Sequence, residues 1–322
     1  MLSVTFVAAD NISDNPITPD SQSDDMVITT SHDVDVQDNK IANNKIQTDT
    51  KNTKNMEGPL QTYTTTASSY DDLVNKVNNA KSSDYDEYTI NLKKGSYDTT
   101  QTMTWNQTGR AYKLTINANG STFNGKNTHQ FMKVGEGYTF ILKNALLTNF
   151  STDEGGAVIF GDDYSSITVT NSTFKNNIAQ INGGAIYVHG QLNVTDSTFT
   201  NNTASYYGGA IHSYYADISI SNSTFIANTL IDDGGGGGAI GNYGGNITVN
   251  NCTFKNNGYF DTNGGAIVNE EGYIKVTKSN FINNTGYNGG AMEDTCYTSH
   301  QGYAGRRRQR LSLYPHLFLG RP

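Results

Sequence analysis

Apolar side chains recur along this chain in pairs two positions apart, and a phenylalanine follows five residues after the second member of each pair. The first members are Ile167, Leu192, Ile218, Ile247 and Ile274, and the second are Val169, Val194, Ile220, Val249 and Val276. The phenylalanines are Phe174, Phe199, Phe225, Phe254 and Phe281. Spacing of two puts both aliphatics on one face of a strand. Their return every 25 to 29 residues implies stacked repeats, in which neighbours complete a core that no single unit can bury. The same pair continues backwards at Phe140 and Leu142, Leu114 and Ile116, and Ile90 and Leu92, which predicts about eight rungs. At about 4.8 Å per rung the rod would be roughly 40 Å long.

Polar punctuation has the same period. Gly-Gly-Ala-aliphatic at Gly155, Gly183, Gly208, Gly237, Gly264 and Gly289 marks one corner of each rung. Asn177, Asn202, Asn228, Asn257 and Asn284 follow their phenylalanines by three, a structural position suited to amide ladders or to left-handed turns. Cys252 occupies the slot held elsewhere by Ser172, Ser197, Ser223 and Ser279, so it reads as a small buried residue. Proline is confined to Pro16, Pro19, Pro59, Pro315 and Pro322, outside the region where ladders need every N–H.

One stretch breaks the β pattern. Ser69 to Lys81 carries Leu73, Val77 and Ala80 on one helical face, with Ser69 and Asp72 spaced as a capping pair. It predicts a helix ahead of the array, capping the open end of the first rung.

The flanks differ in composition. Residues 1–9 resemble the end of a signal peptide, turning polar at Asp10. Residues 10–62 hold no aromatic residue and ten acidic residues against four lysines, which predicts a disordered polar linker. The repeat domain is expected over 63–292. The tail 293–322 carries five of the six arginines and breaks the period, as a frameshifted or truncated end would.

The combination of Gly183 to Ile186 with Phe199 to Asn202 resembles the polymorphic outer-membrane protein repeat of bacterial autotransporters. The whole layout resembles the adhesin-like surface proteins of methanogenic archaea, in the right-handed parallel β-helix (pectin-lyase-like) group. That resemblance implies an all-β fold, a right-handed parallel β-helix solenoid, exposed at the cell surface or secreted. It implies adhesion, with an extracellular glycan or another cell's surface as partner. No β-barrel segment or wall anchor lies within these 322 residues.

Chemistry narrows the reading. A formal charge of -8 argues against nucleic acid, and no run of about 18 apolar residues offers a transmembrane helix. A polysaccharide lyase or hydrolase would need carboxylates at equivalent places on adjacent rungs. Asp162 and Asp163 face Gly190 and Tyr215 instead, and Asp232 and Asp233 sit in a turn beside Tyr206, Tyr207 and Asp261. No arginine occurs from residue 111 to 305, and Gly234 to Gly238 lacks the alternating aspartate of a calcium repeat. No catalytic residue, cofactor or metal site is therefore assigned. Tyr206, Tyr207, Tyr214 and Tyr215, near the turns, are candidate glycan contacts, although tyrosine is also frequent in strands. Asn-x-Ser/Thr triplets at Asn106, Asn119, Asn171, Asn193, Asn222, Asn246 and Asn283 fit an exported glycoprotein, but an Asn- and Thr-rich chain makes them by chance. The leading reading is a non-catalytic adhesin-like rod; the alternatives are a polysaccharide-active β-helix enzyme and a gene fragment without a function.

Overall fold

The structure, a computed structural model, describes residues 59–106, 109–232, 235–300 and 303–311, with two short strands at Phe6–Val7 and Val27–Thr29. Most of the signal and linker segments inferred from sequence thus lie outside the described residues, whereas residues 293–300 and 303–311 of the tail lie within them.

The chain is a parallel β-solenoid of about nine turns. Its first sheet stacks the strands Thr62–Ala67, Glu87–Leu92, Lys113–Asn124, Thr139–Thr148, Ser166–Thr170, Gln191–Thr195, Asp217–Ser221, Ile247–Asn250 and Ile274–Thr277 in parallel. Phenylalanine-bearing strands such as Thr173–Lys175 and Thr198–Thr200 continue this sheet after a bend. A second sheet stacks Met103–Trp105, Met132–Val134, Ile159–Gly161, Ile186–Val188, Ile211–Tyr214, Ile240–Tyr243, Ile267–Glu270 and the start of Met292–His300. A short third sheet joins Ser151–Thr152, Ile178–Ala179, Thr203–Ala204 and Thr229–Leu230.

The count of eight rungs falls one short. Thr62–Ala67 pairs with Glu87–Leu92 in register, placing Tyr63 opposite Tyr88 and Thr65 opposite Ile90. The columns themselves also shift by two at this end, because Leu114 and Ile116 pair with Tyr88 and Ile90 rather than with Ile90 and Leu92. A search for aliphatic pairs passes over tyrosine and threonine, and so over the first turn. One glycine marker is likewise a residue out of step. Gly156, at φ 67°, holds the place that Gly183 holds at φ 63°.

Aliphatic columns fill the interior, with Ile167, Val169, Leu192, Val194, Ile218, Ile220, Ile247 and Val249 all buried. Full burial of each such side chain contributes about 1.5–3 kcal/mol. Beside them the five phenylalanines form a continuous stack, with centroids 4.7 to 4.9 Å apart and planes within 7° of parallel. Strand spacing sets this distance, since in-register parallel rungs hold identical rings one strand apart.

Corners make the coil close. Asn171, Asn176, Asn201, Asn222, Asn251, Asn256 and Asn283 all take left-handed φ of 47° to 57°, a region in which asparagine is better tolerated than most residues. At the Gly-Gly-Ala corner both glycines are required for different reasons. Gly183 has positive φ, while a Cβ on Gly184 would collide with the carbonyl of Gly209 in the next turn.

The asparagines three after each phenylalanine lie just past the left-handed corner residue and point inward. Asn177, Asn202, Asn228 and Asn257 are wholly buried. Asn202 Nδ2 donates to the Phe174 carbonyl of the turn below and to Asn228 Oδ1 above, both at 3.0 Å. Its Oδ1 accepts from the backbone N–H of Asn177 at 3.2 Å and from Asn177 Nδ2 at 2.9 Å. All the capacity of the side chain is used. The pattern repeats through Asn228, Asn257 and Asn284.

Ser172, Ser197, Ser223 and Ser279 form a second buried ladder, each hydroxyl donating to the carbonyl two residues earlier. Cys252 takes the serine place, its Sγ 3.3 Å from the Asn250 carbonyl, and burial pushes the thiol up to about 11.

The helix spans Tyr70–Lys81 with Ser69 as N-cap, whose side chain accepts from the Asp72 N–H at 3.0 Å. It buries Tyr70, Leu73, Val74, Val77 and Ala80. In chain order it follows the first strand of the first sheet rather than preceding the array, and it packs on Thr62–Ala67, Glu87–Leu92 and Met103–Trp105.

At the other end both sheets change direction. Met292–His300 runs parallel to Ile267–Glu270 and then pairs antiparallel with Tyr303–Leu311. The ninth strand of the first sheet, Ile274–Thr277, pairs antiparallel with Val27–Thr29.

Candidate functional site: an aromatic and histidine face

The second sheet points its isoleucines inward, so the intervening residues lie on its other side, where Phe160 and Tyr187 are half-buried and His212 and Val268 are covered. Register aligns Phe160, Tyr187 and His212 across three turns, followed by Gly241 and Val268. One step further along the strands Tyr214 aligns with Tyr243. The rings make one connected surface. Centroid distances are 5.7 Å for Phe160 and Tyr187, 4.8 Å for Tyr187 and His189, 5.5 Å for His189 and Tyr214, and 5.4 Å for Tyr214 and Tyr243.

Tyr215 completes it at the corner. With φ at 51° its ring crosses the edges of Tyr214 and Tyr243 nearly at right angles, 4.7 and 5.3 Å away. The residue one turn on is Gly244, where a Cβ would collide with the Tyr215 ring. Glycine there lets the ring lie flat. Tyr215 remains 58% exposed, so a ring fixed from beneath and from the side keeps a face open to solvent.

Of the four tyrosines chosen from sequence, Tyr214 and Tyr215 are therefore together. Tyr207 is half-buried and stacks on His212 at 5.6 Å, which joins it to the face through Tyr187. Tyr206 is 49% exposed and has no ring contact among the described residues. Phe160, Tyr187, His189 and His212 were missed. A signal existed, because Tyr187 and His212 each directly follow a Gly-Gly-Ala-Ile marker.

The face is largely uncharged. His212 is buried, its Nδ1 has no hydrogen-bond partner, and burial, with His189 nearby, lowers its pKa to about 3. It is a neutral imidazole at ordinary pH. His189 Nδ1 lies 3.3 Å from Asp163 Oδ1. Hydrogen bonds with Tyr215 and Glu271 push the Tyr243 hydroxyl up, and burial does the same for Tyr187. Such a face can pack on the C–H side of a sugar ring while phenol hydroxyls meet its polar rim.

Asp162 and Asp163 are exposed on a corner and Asp232 is half-buried in a different one; Asp233 lies outside the described residues. Among the described residues no three His, Cys, Asp or Glu side chains converge as metal ligands. Two shallow grooves belong to the helix with neighbouring residues (Ser68, Tyr70, Tyr97) and to the first sheet (Asn119, Asn144, Asn171), not to this face. No helix among the described residues is long and apolar enough to cross a membrane.

Fold and register thus define a parallel β-helix repeat protein with a phenylalanine and asparagine core. Within that class, residues 171–189 and 196–214 each match the Chlamydia polymorphic membrane protein repeat. Each matched segment runs from the phenylalanine strand through its buried asparagine to the Gly-Gly-Ala-Ile corner. No curated protein and no solved structure matches the chain.

Proposed function

We propose that this chain is an adhesin-like rod at the cell surface or outside the cell, which binds a glycan on an opposing surface without cleaving it. The carrying observation is the Tyr215 ring, laid over Gly244, braced by Tyr214 and Tyr243, and more than half exposed. A ring held in place loses little conformational freedom on binding, which favours affinity. The polymorphic membrane protein type of repeat supports the surface setting. The aspartates named from sequence do not recur at equivalent places on adjacent turns, where Asp163 is followed by Gly190 and Tyr215, and this favours binding over hydrolysis by a facing pair of carboxyl groups.

The test is a glycan array followed by titration of the best ligand. Tyr215→Ala should weaken binding at least tenfold, as for a central aromatic anchor, while Tyr206→Ala should leave it nearly unchanged. A blank array, equal loss from both variants, or new reducing ends from a polysaccharide would each overturn the reading.

A further inference from the structure

Between its buried asparagine and its Gly-Gly-Ala corner, each of five successive turns leaves a large apolar side chain in solvent. The residues are Ile181, Tyr206, Ile231, the pair Tyr259 and Phe260, and Tyr287, with exposures from 42% to 71%. The turn before them has the charged Asp153 and Glu154 at this place. Bridges in register just beyond, from Asn182 through Tyr207, Gly236 and Asn263 to Asn288, stack these segments over one another. The side chains therefore form a ridge along the rod, four strand steps or roughly 19 Å long.

Apolar surface held in water costs free energy, and a contiguous patch of it marks a contact. Packing inside the fold does not require this one, since the core of these turns is filled by the aliphatic columns and the phenylalanine stack. At roughly 200 Å² for an aromatic side chain and less for isoleucine, the open area of the ridge is on the order of 600 Å². Two such ridges laid on each other would remove about 1,200 Å² from water, which clears the roughly 1,000 Å² that a specific interface needs.

Geometry selects the partner. Side chains set one strand spacing apart interlock best with a row of the same pitch, and a second copy carries that row by construction. A twofold axis crossing the rod at Ile231 sets Ile181 against the partner's Tyr287, and Tyr206 against the partner's Tyr259 and Phe260. Ile231 then meets its own copy. Asp232 and Asp261 stand half-buried beside the ridge, and the chain carries a formal charge of -8, so the attraction is apolar and works against charge.

We propose that the ridge from Ile181 to Tyr287 is the contact through which two copies of this chain associate side by side, running antiparallel. Tyr206 precedes and Tyr215 follows the strand Ile211–Tyr214, so the contact is at one end of that strand and the open Tyr215 ring at the other.

Sedimentation equilibrium of the full chain in reductant should show a monomer–dimer equilibrium. Ile231→Lys and Phe260→Lys should each raise its dissociation constant at least tenfold with an unchanged far-UV circular dichroism spectrum. Ile282→Lys is the control, because Ile282 is also exposed but lies in a column of another strand that already holds Lys175 and Lys255. It should leave the dimer intact. Raising salt from about 0.05 to about 1 M should hold or tighten the dimer, since screening relieves repulsion between acidic chains. Hydroxyl-radical labelling of the unmutated chain gives a second readout: dilution should increase labelling of Tyr259, Phe260 and Tyr287 several-fold and leave Tyr164, exposed elsewhere, unchanged. A monomer at every concentration, a dimer indifferent to both ridge variants, a dimer dissolved by salt, or labelling of the ridge that ignores dilution would each overturn the proposal.

Discussion

Replacing Asn228 by alanine should be among the most damaging single changes that this chain can suffer at a polar residue. The side chain is wholly buried and makes four hydrogen bonds. It donates to the Phe199 carbonyl and to Asn257 Oδ1, and accepts from Asn202 N–H and Asn202 Nδ2, all at 3.0 Å. Alanine removes all four and leaves both Asn202 donors stranded away from water. The Phe199 carbonyl loses its side-chain donor but stays in the ladder between the two phenylalanine strands, and Asn257 Oδ1 keeps the backbone N–H of residue 228. A buried donor left without a partner costs about 1–3 kcal/mol, so the two together predict a loss of about 2–6 kcal/mol. Asn193→Ala is the control, since that side chain is exposed on the outer face of its strand and should change stability by no more than about 0.5 kcal/mol. Urea unfolding followed by far-UV circular dichroism measures the difference. Hydrogen exchange should localise it to the turns beside Asn228, because each turn contacts only its neighbours. Equal stability of the two variants would refute the ladder as a source of stability and reduce it to a packing pattern.

Two further outcomes concern buried titratable groups. His212 has a folded pKa of about 3 against an ordinary 6.5, so below pH 6.5 the unfolded chain binds a proton that the folded chain refuses. Stability should fall by about 1.4 kcal/mol per unit as pH drops from 6.5 towards 3, and His212→Phe should remove that part of the slope in urea titrations at pH 7 and pH 4.5. An unchanged slope would show that the imidazole is hydrated. Cys252, its thiol held near 11 by burial, should react with a thiol reagent at pH 8 only as the chain unfolds. Cys252→Ser should restore the serine ladder at a change within about 1 kcal/mol, and rapid labelling of the native protein would contradict its placement.

How much of this was legible depends on whether a residue faces in or out. Inward positions are constrained by packing, so Ile167, Val169 and Phe174 recur in kind and declare both the strand and its register. Where the core accepts something other than an aliphatic residue, as at Tyr88 in the second turn and Thr65 in the first, the columns slip by two residues and a turn is lost from view. Outward positions carry no such constraint. Tyr187, His189 and Tyr243 become neighbours of Tyr214 only once the turns are stacked, and of these only Tyr187 carries a local sign, its place directly after a Gly-Gly-Ala-Ile marker. The antiparallel strand Val27–Thr29 is harder still, because three residues in a polar stretch form no periodic pattern and their partner is at the far end of the chain. Asparagine shows a subtler limit. The sequence marks Asn176 and Asn177 alike, yet the first bends the backbone and the second fills the interior, and only φ and burial separate them.

The amide ladder has a further consequence for the length of the molecule. Each buried asparagine presents the same donors upward and the same acceptor downward, so any turn docks on any other as tiles of a single shape do. Duplicating or deleting one whole turn in the middle of the array would leave every remaining amide satisfied and every phenylalanine stacked. Only the ends, with their helix and antiparallel strands, are unique pieces. A gene built in this way can lengthen or shorten its rod by unequal recombination between repeats without inventing a new core, so the length of the rod becomes a heritable dimension that varies in steps of one strand spacing.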